Sequence, residues 1–279
     1  MQARLVLFTA TLPIINTDIT SSYAQSFVIM ASWAATWADI LNGGSKRWKV
    51  DDAEAKRAAL AHIVRHHGRR DDDADDDEDR PMRILCPLAG DDPFVHYAWS
   101  QGHDVTAIDI VPDVLGVVRG HFGRDDDDAD DDDDWSSSSG EGDWSSGGGN
   151  VGTVWKHKSG RATLVEGDIL TKRPEMLRSF DAVYDKDSFG ALALGDRPGF
   201  CARISEFIKD GGTLYVEVKC KEQGRGSGGP PYHVEKEDLM EPTNFGGCFE
   251  YVCSLGEVYS LNMRGMKQTG HVLRRALRR

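Results

Sequence analysis

Three short groups of residues have the types and spacing to do chemistry. Asp109 ends the apolar run Val105-Thr-Ala-Ile108 and follows, at some distance, the small-residue turn Leu88-Ala-Gly90. An acid there can accept two hydrogen bonds from a vicinal diol such as a ribose. Gly167-Asp168-Ile169 sets one acid just after the apolar run Ala162-Thr-Leu-Val165. Asp185-Lys186-Asp187 directly follows the apolar run Phe180-Asp-Ala-Val-Tyr184. A cation on a loop after a strand can hold a carboxylate or steady an incoming anion, and Asp185 or Asp187 can take a proton or sit solvated. His62 and His66 lie one helical turn apart, but no third ligand accompanies them, and Cys248 with Cys253 lacks partners at finger spacing. A surface pair of histidines and no metal site are therefore expected.

The elements that must position these groups are legible around residues 83–109. Ile84-Leu-Cys86 reads as a buried strand ended by Pro87. A helix start is expected near Asp91-Asp92-Pro93, since Asp caps and Pro suits the first turn. Phe94, Tyr97 and Ala98 recur at helical spacing, Gly102 stops the helix, and Val105–Ile108 reads as a second strand. Strand, turn, helix, strand and acid make the nucleotide-binding half of a doubly wound sheet. Gly90 is the only glycine of the turn, so the G-x-G-x-x-G cradle for a pyrophosphate is missing. A nucleoside ligand without phosphates, S-adenosylmethionine, fits better. An ordinary α/β turn with a solvated Asp109 is the plainer alternative.

The formal net charge of −13 misleads about the folded part. Two runs, Asp71–Asp79 and Asp125–Asp134, hold 17 of the 46 acids, leaving 29 against 33 bases. No basic face interleaved with aromatics is visible, so nucleic acid is not an expected partner. Five scattered cysteines, an odd number, suit free thiols in a reducing compartment. No segment approaches the roughly 20 apolar residues of a membrane helix. A soluble, cytoplasmic monomer is expected. Residues 1–24, with Arg4, an apolar run and Ser22-Tyr-Ala24, imitate a targeting segment as the alternative.

Residues 1–30 read as an N-terminal arm and 31–279 as one domain. Phe27, Met30, Trp33, Trp37 and Leu41 form a helical stripe. A second helix, capped by Asp51, runs to His67. Two low-complexity inserts, 69–80 and 124–150, are expected in loops that spare the fold, with Trp135 and Trp144 brushing the surface or binding a partner. The chain resumes as strand at Ala162–Val165, Phe180–Tyr184 and Thr213–Val218, with helices at 113–121, 197–208 and 235–240. It closes in an antiparallel pair, 249–253 and 271–277. The expected fold is α/β, a doubly wound, Rossmann-like seven-stranded sheet with a terminal antiparallel hairpin, as in class I methyltransferases.

Five pieces, in order, resemble the thiopurine S-methyltransferase family. They are Trp33-x3-Trp37 with Arg47-Trp48; Pro87-Leu-Ala-Gly90; Gly167-Asp-Ile169; Phe180-Asp-Ala-Val-Tyr-Asp-Lys186 with Asp196-Arg197; and Gly229-Pro-Pro-Tyr-His-Val234. The resemblance implies a cofactor site in which Trp33 lines the cleft and Leu88 and Gly90 pack under the methionine part of S-adenosylmethionine. Asp109 would hold the ribose, and Asp168 and Ile169 would flank the adenine. It implies that Trp48 and Tyr232 bound the substrate. Lys186 falls where many members carry Arg beside the transferred methyl, a departure because Lys lacks the planar fork.

The expected activity is methyl transfer to a small thiol, with Lys186 and Asp185 as the catalytic candidates. Halide, selenium or metalloid acceptors on the same fold are the near alternative. A nicotinamide-dependent oxidoreductase and an acidic interaction protein are the alternatives of other classes.

Overall fold

The protein is described by a computed structural model covering residues 35–44, 52–67, 80–122, 134–139, 152–224, 230–261 and 264–277. Helix α1 (residues 35–41) precedes α2 (Ala53–His66), whose cap is Asp52, one residue later than expected; its carboxylate accepts from the amides of Glu54 and Ala55. The strand-turn-helix-strand unit then forms as the sequence foretold: β1 (Arg83–Pro87), α3 (Phe94–Ser100), β2 (Asp104–Asp109) and α4 (Pro112–Arg119). Next come β3 (Trp135–Ser139), β4 (Thr153–His157), β5 (Ala162–Glu166), β6 (Phe180–Lys186), α5 (Ser188–Ala191), α6 (Arg197–Phe207) and β7 (Ile208–Lys221). The chain ends with α7 (Lys236–Leu239), β8 (Phe249–Tyr259) and β9 (Met266–Arg275).

One sheet runs through the molecule in the order β3-β4-β5-β2-β1-β6-β7-β9-β8. Its centre, β5 to β7, is parallel, and both edges are antiparallel. The doubly wound sheet with a closing hairpin is thus as expected. The strand number is not: among the described residues nine strands form, because the second insert supplies β3 and β4 precedes β5.

Trp135, expected at the surface, is 7% exposed and packs edge-on against Phe122 and His157. Its indole caps the apolar end of the sheet, so a segment of serine and aspartate is held in strand by tertiary burial and by pairing with β4, Ser137 opposite Trp155. Trp33, Trp48, Trp144, the arm 1–30 and the first insert lie outside the described residues, apart from Arg80 at the end of that insert.

The side chains of the sheet alternate between two cores. Ala182 and Tyr184 of β6 face α2, α3 and α4, where Ile63, Phe94 and Val118 are buried. Val183 faces α6, with Phe200, Ile204 and Phe207. His62 is not a plain surface residue: it stacks on Tyr215 at 6.4 Å between ring centres. All five cysteines are free thiols. Among the described residues, no helix is long and apolar enough to cross a membrane.

Candidate functional site

In an open α/β sheet, ligands bind beyond the carboxyl ends of the strands where the strand order reverses. Here the reversal falls between β1 and β6, which lie side by side in parallel. Two non-glycine residues with left-handed backbone stand just past these two strands: Leu88 (φ 42°) and Asp187 (φ 66°). Such conformations cost about 1–3 kcal/mol each and cluster at functional sites.

The turn after β1 is tight. Gly90 has φ 56°, and a Cβ there would lie 2.9 Å from the Trp37 indole. Conformation and close approach both demand glycine. Trp37, with Ile40, packs against Val111 and Val114, so α1 covers this turn. The sequence placed Trp37 on a helical stripe but gave no sign that it was the indole resting on Gly90.

Asp109 is 7% exposed and organises the crevice. Its Oδ2 accepts the Gly90 amide at 2.9 Å, and its Oδ1 accepts the Val111 amide at 3.0 Å. Burial pushes its carboxyl above the usual range, against the pull of these hydrogen bonds. A carboxylate has about four acceptor positions, so with the Ile110 amide also close, part of that capacity remains for a ligand. Ile110, the next residue, presents an apolar surface, 37% exposed.

The Gly167 amide donates to the Asp109 carbonyl at 2.8 Å, which brings the Asp168 segment beside the acid. Asp168 accepts the Leu170 amide at 2.8 Å, and Ile169 is buried. Arg173 lies against Gly167, where any Cβ would collide with its guanidinium. Its Nε is buried without a hydrogen-bond partner among the described residues. Nothing in the sequence singled this arginine out.

Lys186 does not stand alone. Its Nζ pairs with Asp92 at 3.1 Å and lies 5.6 Å from the centre of the Tyr259 ring. Asp92 also accepts the Phe94 amide at 2.8 Å, so it ties the turn after β1, the start of α3 and the end of β6 together. Burial would lower the Lys186 pKa, but Asp92, Glu217 and Asp187 outweigh it and keep the ammonium charged. The cation expected after this strand is thus held in an ion pair, a partner the sequence did not reveal.

The expectation for Asp185 is corrected. It points to the opposite face of the strand, fully buried; Oδ1 accepts the Ser188 amide at 2.8 Å, while Oδ2 has no partner among the described residues. Burial raises its pKa to about 7 despite the Ser188 bonds. It is sealed from any acceptor bound at Lys186.

Tyr232 donates its amide to the Gly190 carbonyl at 2.7 Å, and its ring lies 5.8 Å from the Arg197 guanidinium. Arg197 is also stacked on Phe189 at 4.5 Å. The Pro230–Tyr232 loop is thereby fixed to α5 and the start of α6.

A buried polar cluster beyond Lys186 escaped the sequence reading. Lys219, fully buried, pairs with Asp187 at 2.7 Å and bonds Gln268. Gln268 donates to Asp187 at 3.2 Å and to Glu217 at 3.3 Å, and the Tyr215 hydroxyl donates to Glu217 at 2.8 Å. The signal was faint: Glu217 and Lys219 alternate within an apolar strand, while Gln268 comes from a distant one.

One trio, Cys220, His233 and Glu235, brings three possible metal donors within 4.8 Å of one another. His233 Nδ1 already accepts the Lys221 amide at 2.9 Å. Its Nε2 therefore carries the proton and faces Glu235 at 3.3 Å. That tautomer turns an N–H, not a lone pair, toward the trio.

Residues 149–270 match the model of the thiopurine S-methyltransferase family. No curated protein matches the chain by sequence. Among solved structures, the fold is similar to a 1,6-didemethyltoxoflavin-N1-methyltransferase of Burkholderia thailandensis, solved with S-adenosylhomocysteine. The TM-score is 0.56 at 17% identity, over 96% of this chain and 94% of that one. It is similar to the N-methyltransferase NodS of Bradyrhizobium japonicum, in complex with S-adenosylhomocysteine (TM-score 0.51, 12% identity, 84% of this chain and 93% of that one). It is also similar to the [4+2]-cyclase SpnF (TM-score 0.56, 12% identity, 91% and 96%). The chain therefore has the α/β fold of class I S-adenosylmethionine-dependent methyltransferases, and its residues 149–270 match the thiopurine S-methyltransferase family.

Proposed function

We propose that this protein is an S-adenosylmethionine-dependent methyltransferase that methylates a small thiol by in-line displacement. The observation that carries this reading is Asp109: a buried carboxylate at the end of β2, next to β1, with acceptor capacity left over, beside a turn built without a pyrophosphate cradle. An acid there suits the ribose of either cofactor, but the turn lacks the second and third glycines that a pyrophosphate needs, which speaks against a nicotinamide-dependent oxidoreductase. Leu88 and Gly90 would support the methionine part of the cofactor, Asp109 the ribose, and Asp168 with Ile169 the adenine. Trp33 and Trp48, given cleft roles by resemblance, lie outside the described residues.

When bound, the cofactor supplies a methyl group on a sulfonium. The protein's share is positioning, which can contribute roughly 7–11 kcal/mol. The Asp92–Lys186 pair fixes the turn under the methionine part relative to the end of β6, with the Tyr259 ring beside Lys186. The family match favours sulfur as the accepting atom. A halide, selenium or metalloid acceptor is the second reading within the same chemistry.

Isothermal titration with S-adenosylmethionine, NAD and a polybasic peptide separates the methyltransferase from an oxidoreductase and from an acidic interaction protein. Binding of the first alone, followed by methyl transfer to a thiol from a panel of thiols, selenols and halides, is the expected result. Asp109→Ala should weaken cofactor binding about 10- to 100-fold, since hydrogen bonds to a charged group are worth about 1.5–3 kcal/mol. Unchanged affinity in a folded variant rules this site out.

A further inference from the structure

The polar cluster on β6, β7, β8 and β9 has an uneven charge pattern. Among the described residues it holds three carboxylates, Asp92, Asp187 and Glu217, and two ammonium groups. Lys186 is paired with Asp92 and Lys219 with Asp187. Glu217 is held by neutral donors, Tyr215 and Gln268. Beside it lies the Tyr259 hydroxyl, in a side chain only 9% exposed and turned toward the Glu217 carboxylate. With its proton aimed at Glu217, the phenol oxygen keeps an acceptor position open for an arriving group.

We propose that the methyl acceptor enters this cluster protonated, as a neutral thiol or amine, and passes its proton through the Tyr259 hydroxyl to Glu217. This rests on the methyl-transfer reading above. A preformed anion, whether thiolate or halide, meets one surplus negative charge here, and Lys186 is already neutralised by Asp92. In the balanced step, the acceptor atom bonds the methyl carbon as the carbon–sulfur bond breaks. The acceptor's proton goes to the Tyr259 oxygen as the Tyr259 proton goes to Glu217. The sulfonium charge and the carboxylate charge disappear together.

Burial raises the Glu217 carboxyl above its usual range, with Lys186 and Tyr215 pulling it down and Asp187 and Asp92 pushing it up. It is thereby a better proton acceptor than an exposed glutamate. Burial and the Glu217 charge hold the Tyr259 phenol well above its ordinary range, so Tyr259 relays the proton without ionising. Of the other elements packed here, β9 contributes Gln268, and α2 contributes His62 behind Tyr215.

The test uses the full chain saturated with S-adenosylhomocysteine and thiophenol as probe. Calorimetry in two buffers of different ionisation enthalpy, at a pH where free thiophenol is mostly thiolate, reads the protons exchanged on binding. Wild type should take up about one proton per probe bound, by linkage. Glu217→Gln removes the surplus charge; uptake should fall toward zero, and methyl transfer should drop about 100-fold. Tyr259→Phe should keep the uptake and lose a similar share of turnover.

Thiophenol bound by wild type without proton uptake, no thiophenol binding at all, or methylation of iodide each overturns the proposal. Wild-type turnover in Tyr259→Phe also overturns it, and this variant serves if Glu217→Gln fails to fold. Failure of S-adenosylhomocysteine to bind would instead strike at the cofactor reading. Cofactor binding and thiol methylation without proton uptake would remove this inference alone.

Discussion

At the scale of single residues, two buried charges dominate what can be tested. Asp185 has a folded-state pKa of about 7, far above an unfolded aspartate, because it is buried with one oxygen unpartnered. The folded state therefore binds the proton more tightly than the unfolded one. The contribution of this group is fully present below the unfolded pKa and is lost as pH rises through about 7. Asp185→Asn removes the dependence. Relative to wild type, the variant should gain about 2 kcal/mol between pH 5.5 and 8.5, read by urea unfolding. A difference between the two proteins that is constant with pH would show that Asp185 ionises normally.

The Asp92–Lys186 pair makes a second residue-scale prediction. Both side chains are largely buried, and removing one leaves the other charge stranded. Asp92→Asn and Lys186→Met should each cost about 2–4 kcal/mol, at or just below the range for fully buried pairs, while the double variant recovers part of the loss. Additive single effects would mean the pair is not coupled.

At the scale of elements, β3 changes what the second insert can tolerate. A low-complexity stretch of aspartate, serine and glycine suggested a loop whose replacement would be silent. Trp135 instead closes the aromatic group of Trp99, Phe122 and His157, and β3 pairs along β4. Trp135→Ala should cost about 3–5 kcal/mol by loss of a buried indole. Replacing all of 124–150 by a Gly/Ser linker should destabilise the protein by a similar amount. Replacing only 125–133 should cost little, because loop closure depends weakly on length. Thermal unfolding of the three variants checks this; equal stability for all would place β3 outside the cooperative unit.

At the scale of the whole molecule, the candidate cofactor site joins β1, β2, β5 and β6 through Gly90, Asp109, Gly167 and Asp92. A ligand bound across these strands stabilises only the folded state. S-adenosylhomocysteine at about 100 times its Kd should add about 2.7 kcal/mol, a rise in Tm of roughly 5–10 °C for a chain of this size. Asp109→Ala should lower the starting Tm, because the Gly90 and Val111 amides lose their acceptor, and should abolish most of the rise at the same ligand concentration. A full rise in that variant would separate the ligand from Asp109.

The sequence by itself determined the central sheet and the position of Asp109 at a strand end. Alternating apolar runs, a proline stop and a small-residue turn are local signals, and each acts within a few residues. It also placed Asp168-Ile169 after β5, while Lys186, read as a loop residue, is the last residue of β6. Only the tertiary structure decided that Lys186 is paired, since Asp92 lies 94 positions earlier and meets it only when β1 and β6 become neighbours. Likewise, it alone decided that Asp185 is sealed away and that Trp135 holds a polar segment in strand. It also assembled the Glu217–Lys219–Gln268 cluster across β7 and β9. Periodicity reports which face a side chain takes, whereas the charge of a site depends on which strands lie side by side, and that is fixed by the packing of the whole chain.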